Sequence, residues 1–443
     1  MSATVENQEV SAFESHSAEA LVTPSPVHRT TGRSLAIERR LMQRLLARLH
    51  EPPIRILLWD GSEVRSQHPA PTHTLRIHTR STLWRMVRDP QFGFGEGYAS
   101  GALTIDGDFC EFLRIVVDAM APPAPSARRL PRWLQRNKCT LDSSRENIHR
   151  HYDIGNDFYN LWLDDRMLYT CAYYREPHMT LEQAQVAKMD HICRKLRLQP
   201  GETVIEAGCG WGGFALHMAR EYGVTVTAYN ISHEQIRYAR EAARRENLDD
   251  RVQFVEDDWR NCSGDCDVFV SVGMLEHVGI ENYRQLGAVI DRCLHPSGRG
   301  LIHSIGRNFP QTLNSWIERR IFPGAQPPSL GQAMEVFEER NLSVLDVENI
   351  RLHYALTCRD WLRRFELRLA DVRDMFDDRF VRMWRLYLAT SMVAFECGTL
   401  QLFQMLFAPG RNNNIPWTRA HQYIDAPQPP SGAVWTELSE TTE

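Results

Sequence analysis

Apolar residues recur at helical spacing between Leu35 and His50. Ile37, Leu41, Leu45 and Leu49 form one stripe, with Arg39, Arg40, Arg44 and Arg48 elsewhere around it. A period near 3.6 predicts one amphipathic helix. The pattern then changes: Ile54–Trp59 and Thr74–His78 read as strands, and the glycine-rich run from Phe92 to Tyr98 reads as a bend. Residues 34–120 are therefore expected to form a small α+β domain. A proline-rich stretch, Ala121–Ser126, opens a linker over 121–146. Residues 1–33 are polar and rich in Ser, Glu and Thr, and read as a disordered tail, as do residues 425–443.

From Asn147 to about Ile424 strand-like and helix-like segments alternate. The candidate strands are Thr203–Glu206, Val224–Tyr229, Val252–Val255, Val268–Val272 and Gly300–Ser304, with helical patterns at Ser232–Arg245 and Asn282–Leu294 between them. This order predicts an α/β domain over 147–424, its parallel sheet covered on both faces.

Composition narrows the picture. With 443 residues the chain is long enough for two or three domains, and a net charge of −5 argues against a general nucleic-acid binder. The apolar runs are far shorter than the roughly 20 residues of a membrane span. The first residues lack a basic region followed by an apolar one, so no secretory signal is expected. Ten scattered cysteines suit reduced thiols in a cytoplasm. Cys262 and Cys266 have no second close pair, so no metal site is expected. Two basic segments, Arg39–Arg48 and Arg128–Lys138 with Trp133, suit the headgroups of an inner membrane face; the alternative reading is solvated helix faces.

Candidate chemistry begins at Val204–Gly213. A strand enters Glu206-Ala-Gly208-Cys209-Gly210-Trp-Gly212-Gly213, and a helix follows at once. Glycines there permit a sharp turn and let a ligand touch the main chain. The same residues satisfy G-x-G-x-x-G, so a nicotinamide cofactor competes. Against it, the end of the second strand holds Asn230 where a dinucleotide site needs an acid for the ribose. An acidic residue before GCGWGG is instead the pattern of class I methyltransferases, which take S-adenosylmethionine. Asn230, Ser232 and Gln235 after the second strand, and Asp257, Asp258 and Trp259 after the third, offer polar groups and a stacking face for the nucleoside. Ser232 reads equally as a helix N-cap.

Beyond the glycines, the chain resembles the cyclopropane-fatty-acyl-phospholipid synthase family, which includes the mycolic acid cyclopropane synthases. The matching segments are Asn147–Asp157, Met167–Tyr174, Glu182–Lys188, Glu206–Gly213, Val272–Gly279, Ile302–Gly306, Trp316–Pro323, His353-Tyr354 and Gly398–Phe407. Phe94–Tyr98 resembles the extra N-terminal domain of the full-length bacterial enzymes. The resemblance implies a Rossmann-like class I methyltransferase sheet with helical lid insertions, and adds Tyr169 and Thr170 to the cofactor contacts. It also implies attack of an acyl-chain alkene on the sulfonium methyl, with bound bicarbonate as the base that takes the proton while the ring closes. The family's bicarbonate ligands correspond to Cys171, Glu276, His303, Ile305 and Tyr354. Glu206 replaces the family's usual Asp, and Asn230 stands where many relatives have Thr.

The chemistry accounts for these residue types. An alkene is a poor nucleophile, so catalysis rests on alignment and on stabilising positive charge, for which Tyr173, Tyr174 and Tyr354 offer ring faces. Taken singly, Cys171 reads as a small buried residue, His303 and His277 as core histidines, and Glu276 as a cap for the helix near Asn282. As an ordered set, Cys171, Glu276, His303, Ile305 and Tyr354 read as one site. Trp316–Pro323 is expected in a lid over the acyl tunnel. The expected partners are unsaturated phospholipid chains at a membrane surface, with a homodimer left open. A methyltransferase of the same fold that stops at one methyl, on a lipid or a small amine, is the rival reading. A lipid-binding protein with an inactive core is the third.

Overall fold

A computed structural model describes residues 30–120 and 154–423. Residues 1–29 of the expected N-terminal tail, the C-terminal tail, the basic linker and the motif residues Asn147–Asp153 lie outside the described residues, whereas Thr30–Arg33 are bonded to the N-terminal part through His78, Trp59 and Arg80. The N-terminal part is a four-stranded sheet in the order β2-β1-β3-β4, built from β1 (Ile54–Leu58), β2 (Glu63–Arg65), β3 (His73–Ile77) and β4 (Leu103–Asp106). Four helices accompany it: α1 (Ala36–Arg48), α2 (Arg80–Arg88), α3 (Pro90–Ala99) and α4 (Phe109–Ala119).

Two expectations need correction here. The innermost residues of α1 are Glu38, Met42 and Leu46; of the expected stripe, Leu41 and Leu45 pack partly buried against the core, whereas Ile37 is 56% exposed. The helix is turned because the Glu38 carboxylate is buried against Arg80 at 2.7 Å and the Trp84 indole at 3.3 Å. The glycine-rich run is no bend but helix α3, started by an Asp89 cap that accepts from the Phe92 amide, with Pro90 in the first turn. Its glycines permit close approach. A Cβ at Gly93 would collide with the backbone of Met86, and one at Gly95 with the ring of Trp316.

The larger sheet has seven strands in the order β10-β11-β9-β8-β5-β6-β7. They are β5 (Thr203–Ala207), β6 (Thr225–Asn230), β7 (Val252–Glu256), β8 (Cys266–Val272), β9 (Leu294–Gly306), β10 (Leu342–Asn349) and β11 (Gln401–Pro409). β5 to β9 run parallel, and β11 lies antiparallel to both β9 and β10. Central strands here are apolar on both faces, as a sheet covered on both sides requires. Val204, Val268 and Val270 pack on one side with Met189, Phe214 and Ile236, while Ile205 and Phe269 pack on the other with Leu286 and Ile290. Strand order reverses beside β5, whose neighbours are β6 and β8, so a crevice opens beyond their carboxyl ends.

Two insertions build a roof. One, between β9 and β10, carries the helix Ser315–Arg320; the other, between β10 and β11, carries the helices Arg351–Leu367 and Asp378–Glu396. The N-terminal part is fastened to both. Trp316 is buried against Gly95, and Glu96 pairs with Arg320 at 2.7 Å and Arg379 at 2.6 Å. Among the described residues no helix is long and apolar enough to cross a membrane.

Candidate active site

At the reversal point lies a cavity of about 1040 Å3, its open mouth included. Gly208 and Gly210 line it with φ of +87° and +54°, a backbone that L side chains rarely adopt. Tyr169, Thr170, Glu206, Cys209, Asn230, Gln235, Asp258 and Trp259 share the lining. Gly212 and Ser232 stand off it. Gly212 makes room for packing, since a Cβ there would lie 2.6 Å from Phe254, and Ser232 caps the helix His233–Arg245.

Asn230 is held in place from two sides: its amide donates to the Gly210 carbonyl at 3.1 Å and to Gln235 Oε1 at 2.7 Å. That leaves Gln235 Nε2 buried without a partner among the described residues. The Asp258 carboxylate accepts from Arg260, whose guanidinium also covers the Trp259 ring at 4.5 Å. Asp257, beside them, keeps its place through the Asn261 amide at 2.8 Å. Burial pushes the Glu206 carboxyl up to about 8, partly opposed by the charge of Lys188. Buried polar atoms without partners in a cavity call for a polar ligand. The adenosine and amino-acid ends of S-adenosylmethionine supply one.

A second cavity, of about 1010 Å3, adjoins the first. Tyr169, Thr170, Gly273 and His277 line both, so one thin partition separates them. Cys171, Glu276, His303, Ile305 and Tyr354 all line the second, amid apolar residues such as Ile317, Phe322 and Leu400. Ser304 Oγ donates to Glu276 Oε2 at 2.9 Å. Burial raises the Glu276 carboxyl to about 7, against backbone amides and the Ser304 hydroxyl, which lower it. Burial also holds His303 neutral. With Gln404 Nε2 donating to His303 Nδ1 at 3.2 Å, the ring proton sits on Nε2, which has no partner among the described residues. Tyr354 stacks on Phe395 at 4.4 Å between ring centroids.

Two aromatic expectations fail. Tyr173 is stacked between His191 at 4.2 Å and His353 at 4.5 Å, and the Tyr174 hydroxyl donates to Asp360 at 2.8 Å. Neither lines the second cavity; Tyr169 and Tyr387, whose hydroxyls meet at 2.6 Å, do so instead. Sequence reading passed over Lys188 and took His277 for a core histidine. His277 faces both cavities and is held neutral by burial, its pKa lowered to about 4. The signal for Lys188 was a cation among the buried residues of a helix, beside Ala184, Ala187 and Ile192.

Comparison with known proteins decides the lineage. Residues 140–405 match the family model described as mycolic acid cyclopropane synthetase. The chain belongs to the cyclopropane synthase family. Residues 41–121 match a separate domain of unknown function. This family member is 35% identical over 366 residues to the cyclopropane-fatty-acyl-phospholipid synthase of Escherichia coli K12, covering 80% of this chain and 92% of that protein. It is equally identical, 35% over 383 residues, to a probable fatty acid methyltransferase of Pseudomonas putida, covering 84% of this chain and 96% of the other. Among solved structures it resembles the mycolic acid cyclopropane synthase CmaA1 in complex with SAH and CTAB, with a TM-score of 0.57 and 27% identity over 59% of this chain and 97% of that one. The cyclopropane synthase family member is accordingly a Rossmann-like, S-adenosylmethionine-dependent methyltransferase.

Proposed function

We propose that the enzyme moves a methylene group from S-adenosylmethionine to the double bond of unsaturated acyl chains in phospholipids, closing a cyclopropane ring. One observation carries the reading: an apolar cavity behind the cofactor cavity holds a buried carboxyl, a neutral imidazole and a phenol. Methylation of an alkene leaves a carbocation that must shed a proton to a base, and loss of that proton from the added methyl closes the ring. When bound, the cofactor supplies an electrophilic methyl, and the partition residues Tyr169 and Thr170 align it with the acceptor.

Bicarbonate fits the residues present and would supply a weakly nucleophilic base. His303 Nε2 and the Tyr354 hydroxyl offer donors, alongside Cys171 and the Ile305 main chain. Glu276, near half-protonated at neutral pH, can share a proton with an anion rather than repel it. The apolar lining keeps water from the developing cation, and the ring faces of Tyr354 and Tyr387 stabilise it. The acceptor reaches the site from an anionic membrane surface, to which the exposed arginines of α1 attach the protein peripherally. A second reading, methyl transfer that stops before ring closure, is favoured by the description of the Pseudomonas putida relative as a probable fatty acid methyltransferase.

Incubation with S-adenosylmethionine and unsaturated phospholipid vesicles, followed by NMR, separates the two. Upfield cyclopropane protons are expected, and Glu276→Gln is expected to abolish them. A methyl-branched or exomethylene product, or an unchanged ring-forming rate in that variant, refutes the ring-closing reading.

A further inference from the structure

At the end of β9 the extended chain turns His303, Ile305 and Arg307 to one side, and the first two line the acyl cavity. Arg307 pairs in parallel with Ser329, and its amide donates to the Pro328 carbonyl at 2.8 Å. The neighbouring Pro327 lines the same cavity, as does Leu313. Leu313 follows Thr312, whose carbonyl accepts from Arg307 Nη1 at 2.9 Å. Asn308, Pro310 and Thr312 are exposed. The guanidinium therefore sits beneath a solvent-facing loop at the rim of the apolar cavity.

Arg307 is 6% exposed, yet no carboxylate meets it among the described residues, and burial alone lowers its pKa to about 10. Of its five donors the Thr312 carbonyl takes one, and Nε is buried with no partner among the described residues. Arg385, about as buried, is instead paired with Glu366 at 2.6 Å. A buried charge without a counter-ion is costly unless an anion completes it. The ligand that fits is an amphiphile, with an anionic head for the guanidinium and an acyl chain for the cavity beside it. Four residues of extended strand, about 13 Å, separate Arg307 from His303, so a chain with its double bond beside His303 has room for several methylenes before its head.

We propose that Arg307 is the receptor for the phosphodiester of the acceptor lipid, and that it selects phospholipids over neutral unsaturated lipids. The forked donors of a guanidinium match a pair of phosphate oxygens. This rests on the acyl-chain reading of the second cavity and names the residue that recognises the head of the acceptor rather than its double bond.

Calorimetry on the full chain, with single-chain lipids below their micelle concentrations, tests it. Oleoyl lysophosphatidylglycerol carries chain and phosphodiester, monoolein the chain without the anion, and inorganic phosphate the anion without the chain. The wild type is expected to bind the lysophospholipid about 30-fold more tightly than monoolein, the usual worth of a hydrogen bond to a charged group. Arg307→Met is expected to cut that preference to less than about threefold with monoolein affinity unchanged, and Arg307→Lys to keep part of it. No preference in the wild type, or an equal loss for both lipids in Arg307→Met, overturns the proposal. Inorganic phosphate that binds as tightly as the lysophospholipid gives the site to a free anion and overturns it too. Because Arg307→Met removes an unpaired buried charge, its denaturant midpoint is expected to equal or exceed that of the wild type. A lower midpoint identifies a loop clamp and counts against the proposal in the same way. If neither lipid binds the wild type, the acyl-chain reading itself falls, which distinguishes the two failures.

Discussion

Glu276→Gln should make the protein more stable at alkaline pH while removing ring formation. The folded state raises this carboxyl from its ordinary 4.5 to about 7, chiefly by burial. Each tenfold change in proton affinity is worth about 1.4 kcal/mol, so the ionised, buried carboxylate costs the fold about 3 kcal/mol. The sign follows from linkage. Between pH 4.5 and 7 the folded state binds the proton that the unfolded chain has released, so stability falls as pH rises through that window. Below it the penalty is absent, and above it the penalty is complete. Glutamine carries no charge, and its Oε1 can still accept from Ser304. The stability difference between variant and wild type should therefore be near zero at pH 4.5 and reach about 3 kcal/mol by pH 8. Denaturant unfolding of both proteins across this range, without ligands, measures it. A difference that does not vary with pH, or a variant less stable at pH 8, would refute the burial argument.

Two further outcomes are expected. Gly95→Ala places a methyl in the ring of Trp316, and overpacking of this kind typically costs about 1–3 kcal/mol. Thermal unfolding should register the loss, and turnover of the acyl acceptor should drop while calorimetry finds S-adenosylhomocysteine affinity unchanged. Neutralising the exposed Arg40, Arg44 and Arg48 with glutamine should weaken binding to anionic vesicles about 100-fold at low salt, at roughly 1 kcal/mol per basic residue near the surface. Vesicle sedimentation that is insensitive to salt and to anionic lipid content would sink the electrostatic attachment.

The sheet was legible where local pattern and tertiary role agree. β5 to β8 are apolar runs punctuated by helices, and their bounds lie within a couple of residues of expectation. β10 and β11 were not foreseen as strands, because antiparallel pairing with β9 is a non-local choice that no short window encodes. Helix α3 was hidden for the opposite reason. Three glycines in seven residues carry poor helix propensity, and only close packing on Met86 and Trp316 overrides it. Within the site, motif order brought Cys171, Glu276, His303, Ile305 and Tyr354 to one cavity lining. It could not show that Tyr173 and Tyr174 turn away, since adjacent residues in an irregular segment have no fixed facing. Nor could it place Lys188 or His277 on the cavity walls, since that depends on which wall of which cavity they reach.

The seating of Trp316 on Gly95 bears on how such a protein can change over time. Loss of the N-terminal part would bare the Trp316 indole and leave Arg320 and Arg379 without the Glu96 they share. A descendant that discards residues 34–120 must therefore also rewrite positions 316, 320 and 379, or aggregate through the uncovered roof. Inheritance of the domain and the identity of those three side chains should be correlated characters across the lineage.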